Sequence, residues 1–272
     1  MPNRVELVSP AQNAASPGCA LPSEVADSVW RGDQLGRVRT RSIQTGFQDL
    51  DAELPDGGWP CGALTEVLQS QPSLIEWRLI GPSLRTVVKG GRIVVIGPPK
   101  LPHLPGLRHL GVEEGDFVWI QAGAPSERLW CTEQLIRSNA AAAVMTWLPQ
   151  ARPEQLRRLQ VLAQGCEGPV FVFRPVVARH DPSPAPLRLL ASPLLDWELQ
   201  VQLLKRRGPV HDTPIRLSSI PGGIEHVLTS RTRRPSQLVP AKEAPRHVVG
   251  RPAYPDPARA TQTVLSRVVS VG

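Results

Sequence analysis

The side chains in this chain with the clearest chemical purpose are cations. Lys205, Arg206 and Arg207 stand side by side, and Arg231, Arg233 and Arg234 follow a short way on. From Lys205 to the C-terminus there are 12 Lys and Arg against 4 Asp and Glu, so that of the net charge of +7 this last stretch carries +8 and residues 1–204 carry −1. Clustered cations of this kind neutralise phosphates or dock on an acidic partner surface. We therefore assign Lys205, Arg206, Arg207, Arg231, Arg233 and Arg234 as the candidates for contact with DNA or a partner.

Other residue types do not assemble into a reactive set. Asp49, Asp51, Glu53 and Asp56 lie close together, but their alternation with Leu50 and Leu54 reads as the solvated face of a turn, not as an acid/base pair or a metal site. The six histidines are scattered, and the nearest two, His103 and His109, share no helical face. The four cysteines, Cys19, Cys61, Cys131 and Cys166, form no Cys-x-x-Cys pair, so neither zinc nor a disulfide framework is expected. Neither serine nor cysteine occupies a nucleophile elbow. Catalytic residues, metal ligands and cofactor ligands are all assigned as none.

The elements that must position the cations follow from periodicity. The chain has 272 residues, 41% of them hydrophobic, enough for one sizeable core with tails. No apolar run is long enough to cross a membrane, and the N-terminus lacks the apolar stretch of a signal peptide, so a cytoplasmic protein is expected. Residues 1–41 read as an arm with one short helix over Leu21–Gly32, capped by Ser23. Strands are expected at Ala63–Leu68, Arg92–Ile96, Phe117–Ile120, Ala140–Trp147 and Val170–Phe173. Helices are expected at Ser73–Val88, Leu104–Leu110, Ser126–Ser138 (capped by Ser126) and Pro153–Ala163. Short links between alternating strands and helices imply right-handed crossovers and a mainly parallel sheet. Beyond Pro175 the period changes to two. Asp196–Arg206 places Trp197, Leu199, Val201 and Leu203 on one face, flanked by short strands at Leu187–Ala191 and Ile215–Leu217. The expectation is an α/β core over 42–220, with antiparallel strands at its C-terminal end. Residues 221–272 form a basic, Pro-rich tail read as largely disordered, with one short apolar patch at Val264–Val271.

Ser42–Glu66 resembles the lead-in of a RecA-like ATPase core. The match is carried by Thr45, Gly46, Leu50, Asp51, Leu54, Gly57, Gly58, Pro60, Gly62 and Glu66, whose glycines permit the turns that feed the first core strand. Glu133, Leu135, Arg137 and Ser138 are similar to the helix before the metal-binding strand of that core, and Leu203–Gly208 to the strand and basic turn that close it. The phosphate loop does not follow. Gly-x-x-x-x-Gly-Lys-Ser/Thr cradles phosphates with backbone N–H groups and a lysine. After Glu66 the chain continues Val-Leu-Gln-Ser-Gln-Pro-Ser-Leu-Ile, and Pro72 removes a donor. None of the lysines (Lys89, Lys100, Lys205, Lys242) precedes Ser or Thr, and Gly97-Pro-Pro-Lys100 reads as a rigid turn. No acid lies between Glu133 and Glu154, so strand 140–147 supplies no magnesium ligand, and Glu66 is expected to be a polar residue at a strand end.

A RecA-like core without its ATPase motifs, with Val29-Trp30-Arg31-Gly32 in an N-terminal helix and a basic tail, resembles the ImuA family. That resemblance implies a non-enzymatic adaptor in damage-induced mutagenic translesion DNA synthesis. It implies as partners an ImuB-like inactive relative of the Y-family polymerases, RecA and an error-prone DnaE-type polymerase, with DNA contacted through the basic tail. A nucleoid-associated location would follow. Two other readings stand beside it: a SulA-like cell-division inhibitor, which is shorter and has no extended basic tail, and a recombination ATPase with a noncanonical nucleotide site.

Overall fold

Leu64–Gln69 is buried along its whole length, as a strand covered on both faces must be. In the computed structural model, which describes residues 41–221 and 224–238, this strand lies within an eight-stranded sheet. A short antiparallel ribbon precedes it, β1 (Ser42–Ile43) with β2 (Trp59–Pro60). The sheet itself comprises β3 (Leu64–Gln69), β4 (Ile93–Ile96), β5 (Phe117–Ile120), β6 (Ala143–Trp147), β7 (Val170–Pro175), β8 (Leu187–Pro193), β9 (Glu198–Lys205) and β10 (Ile215–Ser218). Their order is β10-β9-β8-β3-β7-β6-β4-β5. Pairing is parallel from β8 through β5 and antiparallel between β8 and β9 and between β9 and β10. The protein is thus α/β, with a mostly parallel central sheet and antiparallel strands at one end.

Among the described residues five α-helices accompany the sheet: α1 (Gln48–Glu53), α2 (Glu76–Val87), α3 (Leu104–His109), α4 (Pro125–Ser138) and α5 (Pro153–Ala163). Alternation along the strands divides the core in two. Leu79, Ile80 and Leu84 of α2 pack with Val67, Val95, Met145 and Phe171 on one face, and Leu129, Ile136, Leu156 and Leu159 of α4 and α5 pack with Leu64, Val94, Val144 and Val172 on the other. Among the described residues no helix is long and apolar enough to cross a membrane.

The lead-in is held by its own polar groups. Asp51 Oδ1 accepts from the Thr45 N–H at 2.8 Å and Thr45 Oγ1 from the Phe47 N–H at 3.0 Å. Gly46 has φ +88°, and a Cβ there would meet the Pro82 Cβ at 2.5 Å. A Cβ on Gly58 would meet the Ile43 carbonyl oxygen at 2.3 Å. The acidic stretch expected as a turn face is instead helix α1, whose Leu50 is fully buried while Asp51 caps inward.

Three further expectations are corrected. Helix α2 begins at Glu76, because Ser73 is left-handed at φ +71°, and its buried face is Leu79, Ile80, Leu84 and Val87 while Leu74 is exposed. The cap of α4 is Ala124, not Ser126; Glu127 Oε2 reaches back to the Gly123 and Ala124 N–H groups. Trp197 precedes β9 in a left-handed turn with Asp196, so the alternation begins at Glu198.

Pro82 lies inside α2 and cannot donate to the Arg78 carbonyl four residues back. That carbonyl takes the Ser219 hydroxyl instead, at 3.0 Å, while Arg78 Nε returns a bond to the Ser219 carbonyl at 3.0 Å and its Nη2 bonds the Glu198 carbonyl. Burial lowers the Arg78 pKa from the ordinary arginine value. The gap that proline opens in the helix is thus closed by the segment after β10.

The described chain divides into a unit ending at His226 and a second beginning at Val227. In the second, Ser230–Arg233 forms a single helical turn (α6), where no element is expected from the sequence, because Thr229 Oγ1 caps the Thr232 N–H; Pro235–Leu238 follows as a 3-10 turn. The expected helix at Leu21–Gly32 and the apolar patch at Val264–Val271 lie outside the described residues.

Candidate functional site

In open α/β sheets the ligand crevice lies beyond the carboxyl ends of the strands, where successive connections leave in opposite directions. Here the adjacent strands β3 and β7 meet this condition: the chain crosses from β3 to β4 on one side and from β7 to β8 on the other. The turn Ser70–Ile75 joins the end of β3 to α2, and the first residue of the helix, Glu76, turns its side chain back into the crevice.

Glu76 is 1% exposed. Its Oε1 accepts from Gln69 Nε2 at 2.8 Å, the Ser73 N–H at 2.9 Å and Trp147 Nε1 at 2.9 Å, and its Oε2 from the Ile75 N–H at 3.2 Å. All four partners are donors, as a carboxylate requires. The Gln69 amide is oriented by this demand, since the opposite flip would set oxygen against oxygen. Trp147 is fixed in turn by stacking on Phe173, with ring centroids 4.5 Å apart and planes at 24°. The left-handed Ser73 that aims the turn inward costs about 1–3 kcal/mol, so surrounding bonds must hold it.

On the opposite face of β3, Glu66 is 1% exposed, in the middle of the strand and not at its end as expected. Its two oxygens bind Arg174 Nη1 at 2.8 Å and Arg188 Nε at 2.6 Å. Arg174 also donates to Asp181 at 2.9 Å and to the Ala151 carbonyl at 2.9 Å, and Arg188 to the Ala178 carbonyl at 2.9 Å. Two guanidinium groups and two carboxylates make the cluster neutral, which is the condition for burying it. β7 and β8 flank β3 on either side, so the cluster straps the three strands together and to the segments that follow them. Its carboxylates and guanidinium groups pair with one another, and the arginines also bond the Ala151 and Ala178 carbonyls.

The cations identified from sequence fall into two places, described separately. At the end of β9, Lys205 is exposed and donates to the Ser183 carbonyl at 3.0 Å. Arg206 is 15% exposed in its side chain and is tied to the Glu53 carbonyl and carboxylate and to the Pro209 carbonyl at 2.8 Å. His211 Nδ1 meets the same Glu53 carboxylate at 2.9 Å. Arg206 therefore fastens β9 to α1, while Lys205 and Arg207 are exposed. In the second unit Arg231, Arg233 and Arg234 are all exposed, on and just after α6.

The residues that sequence reasoning missed are Glu66 as a buried node, Glu76, Arg174 and Arg188. One acid within the apolar run 64–69 and one arginine in each of the runs 170–175 and 187–191 was the available signal. Burial raises the pKa values of the Cys61, Cys131 and Cys166 thiols, and among the described residues no three His, Cys, Asp or Glu side chains gather as a metal site needs. In comparisons with known proteins, the chain matches no protein-family model and no curated protein.

Proposed function

We propose that this chain is a non-enzymatic adaptor of damage-induced mutagenic translesion DNA synthesis, built on a RecA-like scaffold and similar to the ImuA family. The observation that carries the reading is the crevice beyond β3. Backbone donors of the turn after β3, where a phosphate loop would direct its own at a nucleotide, are there directed at Glu76, from the same chain. The lead-in supports it as well. Thr45, Gly46, Leu50, Asp51 and Gly58, which carry the resemblance, are engaged in packing and turn geometry. A central first strand, parallel crossovers and an antiparallel finish are compatible with that scaffold. Docking is then its work, toward an ImuB-like protein, RecA or an error-prone DnaE-type polymerase. Lys205 and Arg207 in the first unit, and separately Arg231, Arg233 and Arg234 in the second, supply positive charge for DNA or an acidic partner.

The test is a pull-down from DNA-damaged cells with the full chain and with a chain ending near Ser230, alongside an ATP turnover assay. We expect capture of polymerase components or RecA by the full chain, weakened capture by the shorter one, and no turnover above buffer. Sustained ATP hydrolysis by the purified protein, or capture of the division-ring protein alone, overturns the reading. Single-stranded DNA affinity that is unchanged by the truncation and insensitive to salt removes the role of the basic residues.

A further inference from the structure

Four N–H donors converge on one point at the end of β3. Two are backbone groups of a turn held open by a left-handed serine, and two belong to side chains at least nine-tenths buried, Gln69 at 3% and Trp147 at 5% exposure. Donors gathered in this way, away from water, form an anion site. We propose that this is an anion pocket whose ligand is part of the chain itself. The Glu76 carboxylate occupies it and keeps phosphate-bearing ligands out, and without that carboxylate the pocket takes up a free anion of the small carboxylate or phosphate class.

The dimensions are favourable. Glu76→Ala removes one methylene and the carboxylate, the heavy atoms of acetate, and leaves their four donors behind. Orphaned donors in a dry site cost more than the bonds they lose, so an anion entering from solution recovers stability, and by linkage it raises the melting temperature with the logarithm of its concentration above its dissociation constant. Glu76→Gln acts differently. It keeps the volume, so no hole opens for an added anion, and its amide sets an N–H group against a surrounding donor. The pocket's four donors are all internal to the first unit, so its behaviour is independent of the protein's partners.

The experiment is thermal unfolding of the full chain in sodium acetate, in inorganic phosphate and in sodium chloride at matched ionic strength. We expect Glu76→Ala to melt roughly 8–15 °C below the parent. Acetate or phosphate should restore at least half of that shift, the gain growing with the logarithm of concentration above a dissociation constant of about 1–20 mM. The parent, Glu76→Gln and the cavity variant Leu84→Ala, whose hole is lined by apolar groups, should gain no more from acetate than from chloride. If Glu76→Ala does not fold, Trp147→Phe keeps the stacking on Phe173 and removes one donor, and its melting temperature should fall by roughly 3–10 °C. Glu76→Ala within about 2 °C of the parent overturns the proposal, as does acetate and phosphate raising it no more than Leu84→Ala, or Trp147→Phe melting like the parent.

Discussion

Replacing Glu66 by alanine leaves two guanidinium groups in the interior with their shared carboxylate gone. The two ion pairs it breaks are 2.8 Å and 2.6 Å long, between side chains 1–10% exposed. Removing one partner of a buried pair costs about 3–5 kcal/mol, since the other charge stays buried. Here the losses do not simply double. Arg174 keeps Asp181 and the Ala151 carbonyl, and Arg188 keeps the Ala178 carbonyl. We expect a loss of about 4–6 kcal/mol, a large part of the ~5–15 kcal/mol that holds a typical protein folded. Urea unfolding followed by tryptophan fluorescence and far-UV circular dichroism measures it. Asp181→Asn is the contrast, because the Asp181 side chain is 48% exposed and its pair contributes no more than about 1 kcal/mol. The combined change Glu66→Leu, Arg174→Met, Arg188→Leu removes these three buried charges together and should recover most of the stability. Glu66→Ala unfolding within about 1 kcal/mol of the parent, or the triple variant falling as far as the single one, refutes the account of the cluster as a buried strap.

Two other measurements address separate parts of the structure. Ser219→Ala orphans the Arg78 carbonyl that Pro82 cannot serve, and should cost about 1–3 kcal/mol in urea unfolding, whereas Pro82→Ala in the same background restores a helical partner and should recover much of it. With the thiols of Cys61, Cys131 and Cys166 all raised above their ordinary value of 9.0 by burial, the unfolded chain ionises first as pH rises. Stability that is fully present below pH 9 should therefore decline above it, less steeply in a variant with all three replaced by alanine or serine; identical pH profiles would remove the thiols from the account.

How much of the molecule is legible in the sequence depends on how local the cause is. Helix α5 runs over Pro153–Ala163 as periodicity and Pro153 at its start imply, and Leu199, Val201 and Leu203 alternate inward along β9 as expected. The start of α2 is not legible, because Leu74 fits the helical period. What excludes Leu74 is the turn that Glu76 gathers around itself, and this requires Trp147, 71 residues away. Glu66 reads as a strand-end residue for the same reason. Its partners are 108 and 122 residues distant, and only the parallel register of β7 and β8 against β3 brings them together. Arg206 resembles a free cation beside Lys205 and Arg207, yet Glu53, from a helix 153 residues earlier, claims it.

The position of β3 also sets a schedule for synthesis. This strand leaves the ribosome before the others of the main sheet, but both its neighbours, β7 and β8, come more than 100 residues later. At about 5–20 residues per second, a nascent chain carries the unpaired edges of an apolar strand for several seconds before either side can be covered. The strands β4, β5 and β6 can pair among themselves in the meantime, leaving the outer edge of β6 open until β7 arrives. Nonlocal parallel pairing of this kind folds slowly and exposes sticky edges while it waits. Both edges of β3 can be covered only after β8 has emerged, so the chain's heaviest demand on chaperones falls in that interval.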